Sequence, residues 1–147
     1  MTRLGFVRST FLFAAIAAVS AASAACVGSA SPTTGAAFSQ TDLRLGTGAT
    51  AASGNTLSVN YTGWLYDPSK ADLKGLQFDT SLNTTAFSFS LGSGQVIPGW
   101  DQGLTGMRVG GLRRLVVPPS LAYGTTRSGP IPANSTLVFD IELLTVQ

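Results

Sequence analysis

The sequence contains no histidine and only one cysteine, Cys26. Without imidazole there is no Ser-His-Asp triad, no histidine-based zinc site and no side chain that ordinarily titrates near neutral pH. A lone cysteine cannot close an internal disulfide. Its place beside an N-terminal apolar run also removes thiol catalysis and thiolate metal clusters from consideration. Charge is scarce as well: Asp, Glu, Lys and Arg make up 11% of the chain, and the seven carboxylates are scattered. A paired-carboxylate hydrolase therefore has little support, and Asp140 and Glu142 alternate along one strand face as solvated positions do. Gly92-Ser93-Gly94 lacks the third glycine and the strand-to-helix setting of a dinucleotide loop, and no phosphate-loop lysine follows a glycine run. These absences leave neither a cofactor nor a metal to expect, and they point to chemistry without a nucleophile.

A long apolar run is also missing. Arg3 and Arg8 precede an apolar stretch over residues 11–25, shorter than the roughly 20 residues that span a bilayer as a helix. Small residues at its end, such as Ala22-Ser23-Ala24, fit a cleavage site, so residues 1–25 are expected to be an export signal. Two readings of Cys26 remain open. It is either an inert residue beside the cleavage site or the lipid-modified first residue of an exported lipoprotein. For the second, Ser23 stands where such a signal usually has Leu. Of the nine Lys and Arg, Arg3 and Arg8 belong to the signal, leaving seven cations against seven anions beyond Cys26. The mature chain is then near neutral, with no charge argument for nucleic acid or an anionic membrane. Residues 26–37 are rich in Gly, Ser, Ala, Pro and Thr, the composition of a flexible linker. The folded domain is expected over residues 38–147, where one hydrophobic core suffices.

Within that domain the patterning is mostly of period two. Leu57, Val59 and Tyr61 alternate with polar residues, as do Phe87, Phe89 and Leu91. Leu137, Phe139, Ile141 and Leu143 mark another alternating run. Leu112–Val117 reads as a further strand stopped by Pro118-Pro119, and Leu43-Arg44-Leu45 as a short one before Gly46. One helix is expected: Pro98 suits its first turn, Trp100, Leu104 and Met107 recur at helical spacing, and Gly106 or Gly110-Gly111 ends it. A single turn is expected near residues 119–123. Strands of this kind with one short helix make an α+β domain, an antiparallel sheet curled around a helix. Trp100, Tyr61, Phe78, Phe87, Tyr123 and Phe139 come from different segments. Together they suggest an aromatic cup with Asp79 on its wall, suited to an apolar ligand or a proline ring.

The ordered set of segments carries a resemblance. Residues 59–63 (VNYTG), 78–81 (FDTS), 87–92 (FSFSLG), 96–104 (VIPGWDQGL), 122–124 (AYG) and 136–144 (TLVFDIELL) resemble successive motifs of the FKBP-type peptidyl-prolyl cis-trans isomerases, in that family's order and near its spacing. The resemblance implies five or six antiparallel strands around one short helix, and a proline ring or a macrolide such as rapamycin resting on Trp100. It assigns Tyr61, Phe87, Trp100 and Phe139 to the pocket lining, Val96 and Ile97 to its edge, and Ile131 to its rim. The Ile97 N–H and the Tyr123 hydroxyl are implied donors to bound carbonyls, and Phe78 and Asp79 cover the bond that rotates. Asp79, Tyr123, Trp100, Phe139 and Tyr61 are the implied catalytic set.

The implied function is to speed X-Pro rotation in proline-containing polypeptides of the envelope or secreted fraction, by a monomer. Membrane contact would come only through a lipid on Cys26. The alternative is a proline-peptide binding module or holdase with little turnover. Phe89, Leu91, Leu104, Leu137, Ile141 and Leu143 are expected to be core alone. The chain departs from the family at residues 82–85 (LNTT), where basic residues are common, so no guanidinium partner is expected for Asp79. It departs again at Leu121 and in a shorter loop over residues 124–132.

Overall fold

In the computed structural model, residues 35–147 are described. The signal reading of residues 1–25, Cys26 and most of the linker lie outside them. Six strands form one sheet: β1 (Ser39–Arg44), β2 (Thr56–Tyr66), β3 (Lys74–Thr80), β4 (Phe87–Ser90), β5 (Leu112–Val117) and β6 (Leu137–Val146). The helix α1 is Pro98–Leu104, and a 3-10 turn covers Pro119–Leu121. The order across the sheet is β1-β5-β6-β2-β3, with β4 also pairing β2, and every pairing is antiparallel. The expected α+β architecture is therefore the observed one.

Strand alternation explains the two faces. Leu57 and Val59 on β2, Leu115 and Val117 on β5, and Leu137, Ile141 and Leu143 on β6 are almost wholly buried. Leu91, Leu104, Phe89 and Trp100 join the same cluster. Each such aliphatic side chain contributes about 1.5–3 kcal/mol by leaving water. On the opposite face Arg114 and Lys74 both bind Asp140, at 2.7 Å each. Asp140 is therefore not the solvated position its alternation suggested. Burial raises its pKa, but the two cations outweigh burial and hold the carboxyl below its ordinary range.

The short helix is seated closely on β5. A Cβ at Gly99 would lie 2.4 Å from Val117 Cγ1, and one at Gly103 would lie 2.6 Å from Leu115 Cδ2. Spaced one turn apart, these two residues give the helix a bare stripe that lets its backbone touch the strand. Trp100 and Leu104 consequently project into the curl of the sheet, both buried. The helix stops at Leu104, so Met107, expected on its third turn, lies beyond it. Met107 is nonetheless buried, at 2% exposure.

Two features depart from the sequence expectation. The segment Lys74–Thr80 is a strand that alternation did not reveal, and β1 starts at Ser39 rather than near Leu43. Strand β3 pairs the second half of β2 and β4 the first half, so both lie along the same edge. The chain between them leaves the edge as a loop.

Candidate active site

The site begins with a β-bulge. Gly63 pairs with Asp79, but the next β2 residue, Trp64, pairs with Gln77, leaving Phe78 as one residue too many on β3. In a regular strand Phe78 and Asp79 would point to opposite faces; the bulge turns both toward the concave side. Phe78 meets Phe139 edge-to-face at 5.7 Å between ring centres. Both rings cross over Gly63, where a Cβ would come within 2.6 Å of Phe78 and 2.9 Å of Phe139.

Asp79 receives a hydrogen bond from the Tyr61 hydroxyl at 2.5 Å on Oδ2, and from the Thr80 N–H at 2.9 Å on Oδ1. No Lys or Arg forms a salt bridge with it among the described residues. In this arrangement the Tyr61 phenol and the Thr80 N–H hold the two carboxylate oxygens. Burial pushes the Tyr61 hydroxyl pKa well up, and the bond to Asp79 adds to the rise, so Tyr61 stays a donor. Tyr123 is raised in the same direction by burial and by the charge of Asp79. It is 40% exposed, and its hydroxyl makes no hydrogen bond among the described residues.

The tryptophan lies at the base of this wall. Its ring centre is 5.1 Å from Tyr61, 5.3 Å from Phe139, 5.8 Å from Phe89 and 6.1 Å from Phe87. Three of these contacts are close to perpendicular, the arrangement that sets a ring's positive edge against a partner's negative face. The indole Nε1 is buried with no acceptor among the described residues. Phe89, expected as core, is both core and a support for the indole. Val96 and Ile97 are partly buried against the same cluster, at the start of α1. Ile97 accepts from Trp100 N at 2.9 Å, while its own N–H donates to none of the described residues.

A cavity of about 320 Å³ opens beside this cluster, lined by Phe78, Asp79, Tyr123, Ser128, Gly129, Pro130 and Ile131. Of the expected site residues, Phe78, Asp79, Tyr123 and Ile131 line it directly. Tyr61 reaches it through Asp79, and Trp100, Phe87 and Phe139 stand behind through ring contacts. Ser128, Gly129 and Pro130 were not among the expected site residues. Their signal was the loop placed between the Tyr123 turn and β6. A larger cavity, about 420 Å³, lies on the polar side of the sheet beside Trp64, Thr62 and Asp140. Tyr61 also lines this larger cavity, whereas Phe78, Asp79 and Tyr123 line the smaller one and not the larger.

Residues 48–144 match the model of the FKBP-type peptidyl-prolyl cis-trans isomerases. The chain belongs to that family. FK506-binding protein 1 of Aspergillus oryzae is 44% identical, over 69% of this chain and 90% of its own length. FK506-binding protein 4 of Aspergillus fumigatus is 46% identical over 72% of this chain but 20% of its own length. The chain thus spans about a fifth of that relative, and of similar ones from other fungi. Among solved structures, FkpA from Escherichia coli superposes with a TM-score of 0.64 at 40% identity, over 75% of this chain and 48% of that one. AtFKBP13 gives the same TM-score at 35% identity, over 75% of this chain and 93% of that one. Both FKBP structures agree with a six-stranded antiparallel sheet carrying one short helix.

Proposed function

We propose that this FKBP domain catalyses cis-trans rotation about X-Pro bonds, without a covalent step, in the cup formed by Trp100, Tyr61, Phe87 and Phe139. The observation that carries the reading is the Tyr61–Asp79 hydrogen bond on the wall of an aromatic pocket. It fixes a carboxylate beside apolar rings. Amide resonance sets a barrier of about 18–20 kcal/mol, and twisting the bond removes that resonance. A twisted amide has less charge separation than a planar one, so a dry aromatic pocket favours it more than water does.

In this reading the proline ring rests toward Trp100, edged by Val96 and Ile97 and closed at the rim by Ile131. The Ile97 N–H and the Tyr123 hydroxyl, both without partners among the described residues, hold the carbonyls on either side. Phe78 and Asp79 face the rotating bond, and holding one side fixed lowers the entropic part of the barrier. Macrolides such as rapamycin compete for the same cup. The support is that relatives named for FK506 binding are 44% and 46% identical over 69% and 72% of this chain. We place the clients among envelope or secreted polypeptides on the strength of residues 1–25, with the domain acting as a monomer. Lipidation of Cys26 with residues 27–37 as a tether is part of this proposal. Palmitate labelling of the full chain and of Cys26→Ser decides it, and no label on the parent refutes it. Among the described residues no helix is long and apolar enough to cross a membrane.

The deciding experiment compares the parent and Asp79→Val for cis-to-trans rate on a short X-Pro peptide and for affinity toward the same peptide. The expected result is a rapamycin-sensitive rate that falls in the variant more than affinity does. No acceleration by the parent at micromolar concentration refutes the isomerase reading, and binding without turnover establishes a proline-peptide holdase instead.

A further inference from the structure

Neighbouring arginines on β5 face opposite sides of the sheet. Arg114 binds Asp140 on the polar face, while Arg113 points inward and is 7% exposed. Arg113 grips Asp42 of β1 with two bonds, Nε to Oδ1 at 2.6 Å and Nη2 to Oδ2 at 3.1 Å. Its remaining nitrogen, Nη1, donates to the carbonyls of Gly103 at 2.7 Å and Thr105 at 3.4 Å, where α1 ends. One guanidinium therefore joins the edge strand, the strand under the helix and the helix terminus.

Two other bonds meet that end, from Thr105 Oγ1 to the Asp101 carbonyl and from Gly106 N to the Ala51 carbonyl, both at 2.8 Å, and neither joins the helix to β1 or β5. The helix is seven residues long, has no side-chain N-cap bond and carries no basic residue in its last turn. A helix that short is far from stable alone, and its last carbonyls have no partners within it. At the other end Asp101 accepts from Gly92 N at 2.9 Å, which ties the first turn to the loop after β4. Trp100 immediately precedes Asp101 and lies less than one turn before Gly103. A planar fork with five fixed donors can serve a carboxylate and two carbonyls together; an ammonium cannot hold that geometry. Buried ion pairs are poor stabilisers, since desolvation opposes their attraction, so the geometry Arg113 imposes is the better account of its burial.

We propose that Arg113, held by Asp42, is a positioning residue for the reaction: it sets where α1, and with it the Trp100 indole, lies beneath the pocket. The proposal rests on the isomerase reading only for its kinetic consequence. Docking of β1, the strand next to the linker, is thereby joined to the pocket floor.

The test uses the full chain with Trp64→Phe, which leaves Trp100 as the reporter indole, since the sequence holds two tryptophans. Arg113→Met, measured where it is fully folded, is expected to lose about tenfold in kcat/KM, because small misplacements in a site are amplified in rate. Trp100 emission should shift and its quenching by acrylamide rise. Arg113→Lys should recover part of the rate. Arg114→Met breaks an ion pair one residue away that touches no helix atom; its rate should stay within about twofold, whatever its stability, as expected for a remote ion pair. If Arg113→Met keeps the parent's rate and emission, or loses no more than Arg114→Met, the proposal is overturned. Should Arg113→Met fail to fold, Asp42→Asn replaces it, with a loss of about threefold expected and an unchanged rate and emission refuting. A parent without isomerase activity sinks the isomerase reading alone, and Trp100 emission and quenching then judge the clasp.

Discussion

Replacing Gly63 with Ala tests the wall of the pocket by a single methyl group. Carbon atoms rest at about 3.5–4.0 Å, whereas the new Cβ would stand 2.6 Å from Phe78 Cζ and 2.9 Å from Phe139 Cε1. The two rings are not equally free to yield. Phe139 is 4% exposed, sits on β6 inside the sheet and abuts Trp100, so it stays. Phe78 is the extra residue of a bulge and only partly buried, so it moves outward by about 1 Å to regain ordinary contact. Forced overpacking costs about 1–3 kcal/mol, and relieving a strand glycine returns about 0.5–1 kcal/mol. A net loss of about 1–2 kcal/mol should appear in urea unfolding at unchanged slope. Moving Phe78 also displaces Asp79 from Tyr61, so kcat/KM should fall by about tenfold in the coupled peptide assay. In the double variant with Phe78→Leu the stability penalty should shrink, because a smaller partner removes the clash. A Gly63→Ala protein as stable and as fast as the parent would show that the rings do not close over this residue.

Trp100→Leu should cost about 2–4 kcal/mol of stability, since a large aromatic leaves the core. It should also lower macrolide affinity by more than tenfold once unfolded protein is corrected for, at about 25 cal/mol per Å² of flat apolar surface lost. Normal corrected affinity makes Trp100 core alone. Asp140→Asn should change the acid limb of the stability curve. The folded-state pKa of Asp140 is depressed by its two cations, so its contribution is full above the ordinary value near 4 and vanishes as pH falls through the folded value. The gap between parent and variant in urea midpoint should therefore be widest near pH 7 and narrow below pH 4; a constant gap at all pH values refutes it.

Sequence reasoning reached the strands whose two faces differ. Residues 57–61 and 139–143 alternate because one side of each meets the core and the other does not, while 112–117 was legible from its aliphatic residues and its proline stop, with Leu115, Val116 and Val117 buried in succession. It missed Lys74–Thr80 because that strand lies at an edge and contains a bulge, which puts Phe78 and Asp79 on one face and erases the alternation. The helix was legible at its start, through Pro98 and Trp100, and in part at its end: Gly106, one of the two expected stops, follows the C-cap Thr105 with a φ of 81°, while Met107 is buried without being helical. The aromatic members of the site were legible as a set. What they touch was not: the Tyr61–Asp79 bond depends on the bulge, and the Arg113–Asp42 pair joins residues 71 apart in the chain. Asp140 looked solvated because alternation identifies a face and says nothing of the charges that cover it.

The bare stripe of Gly99 and Gly103 has a consequence for how the pocket can diversify. With the helix backbone already against Val117 and Leu115, a side chain added at either glycine would meet atoms that have nowhere to go. The depth of the cup is therefore a fixed dimension, common to any variant that keeps this fold. New selectivity has to come from the margin, where Ser128, Gly129 and Pro130 form a short loop. Substitutions there can reshape the entrance while the floor stays as it is.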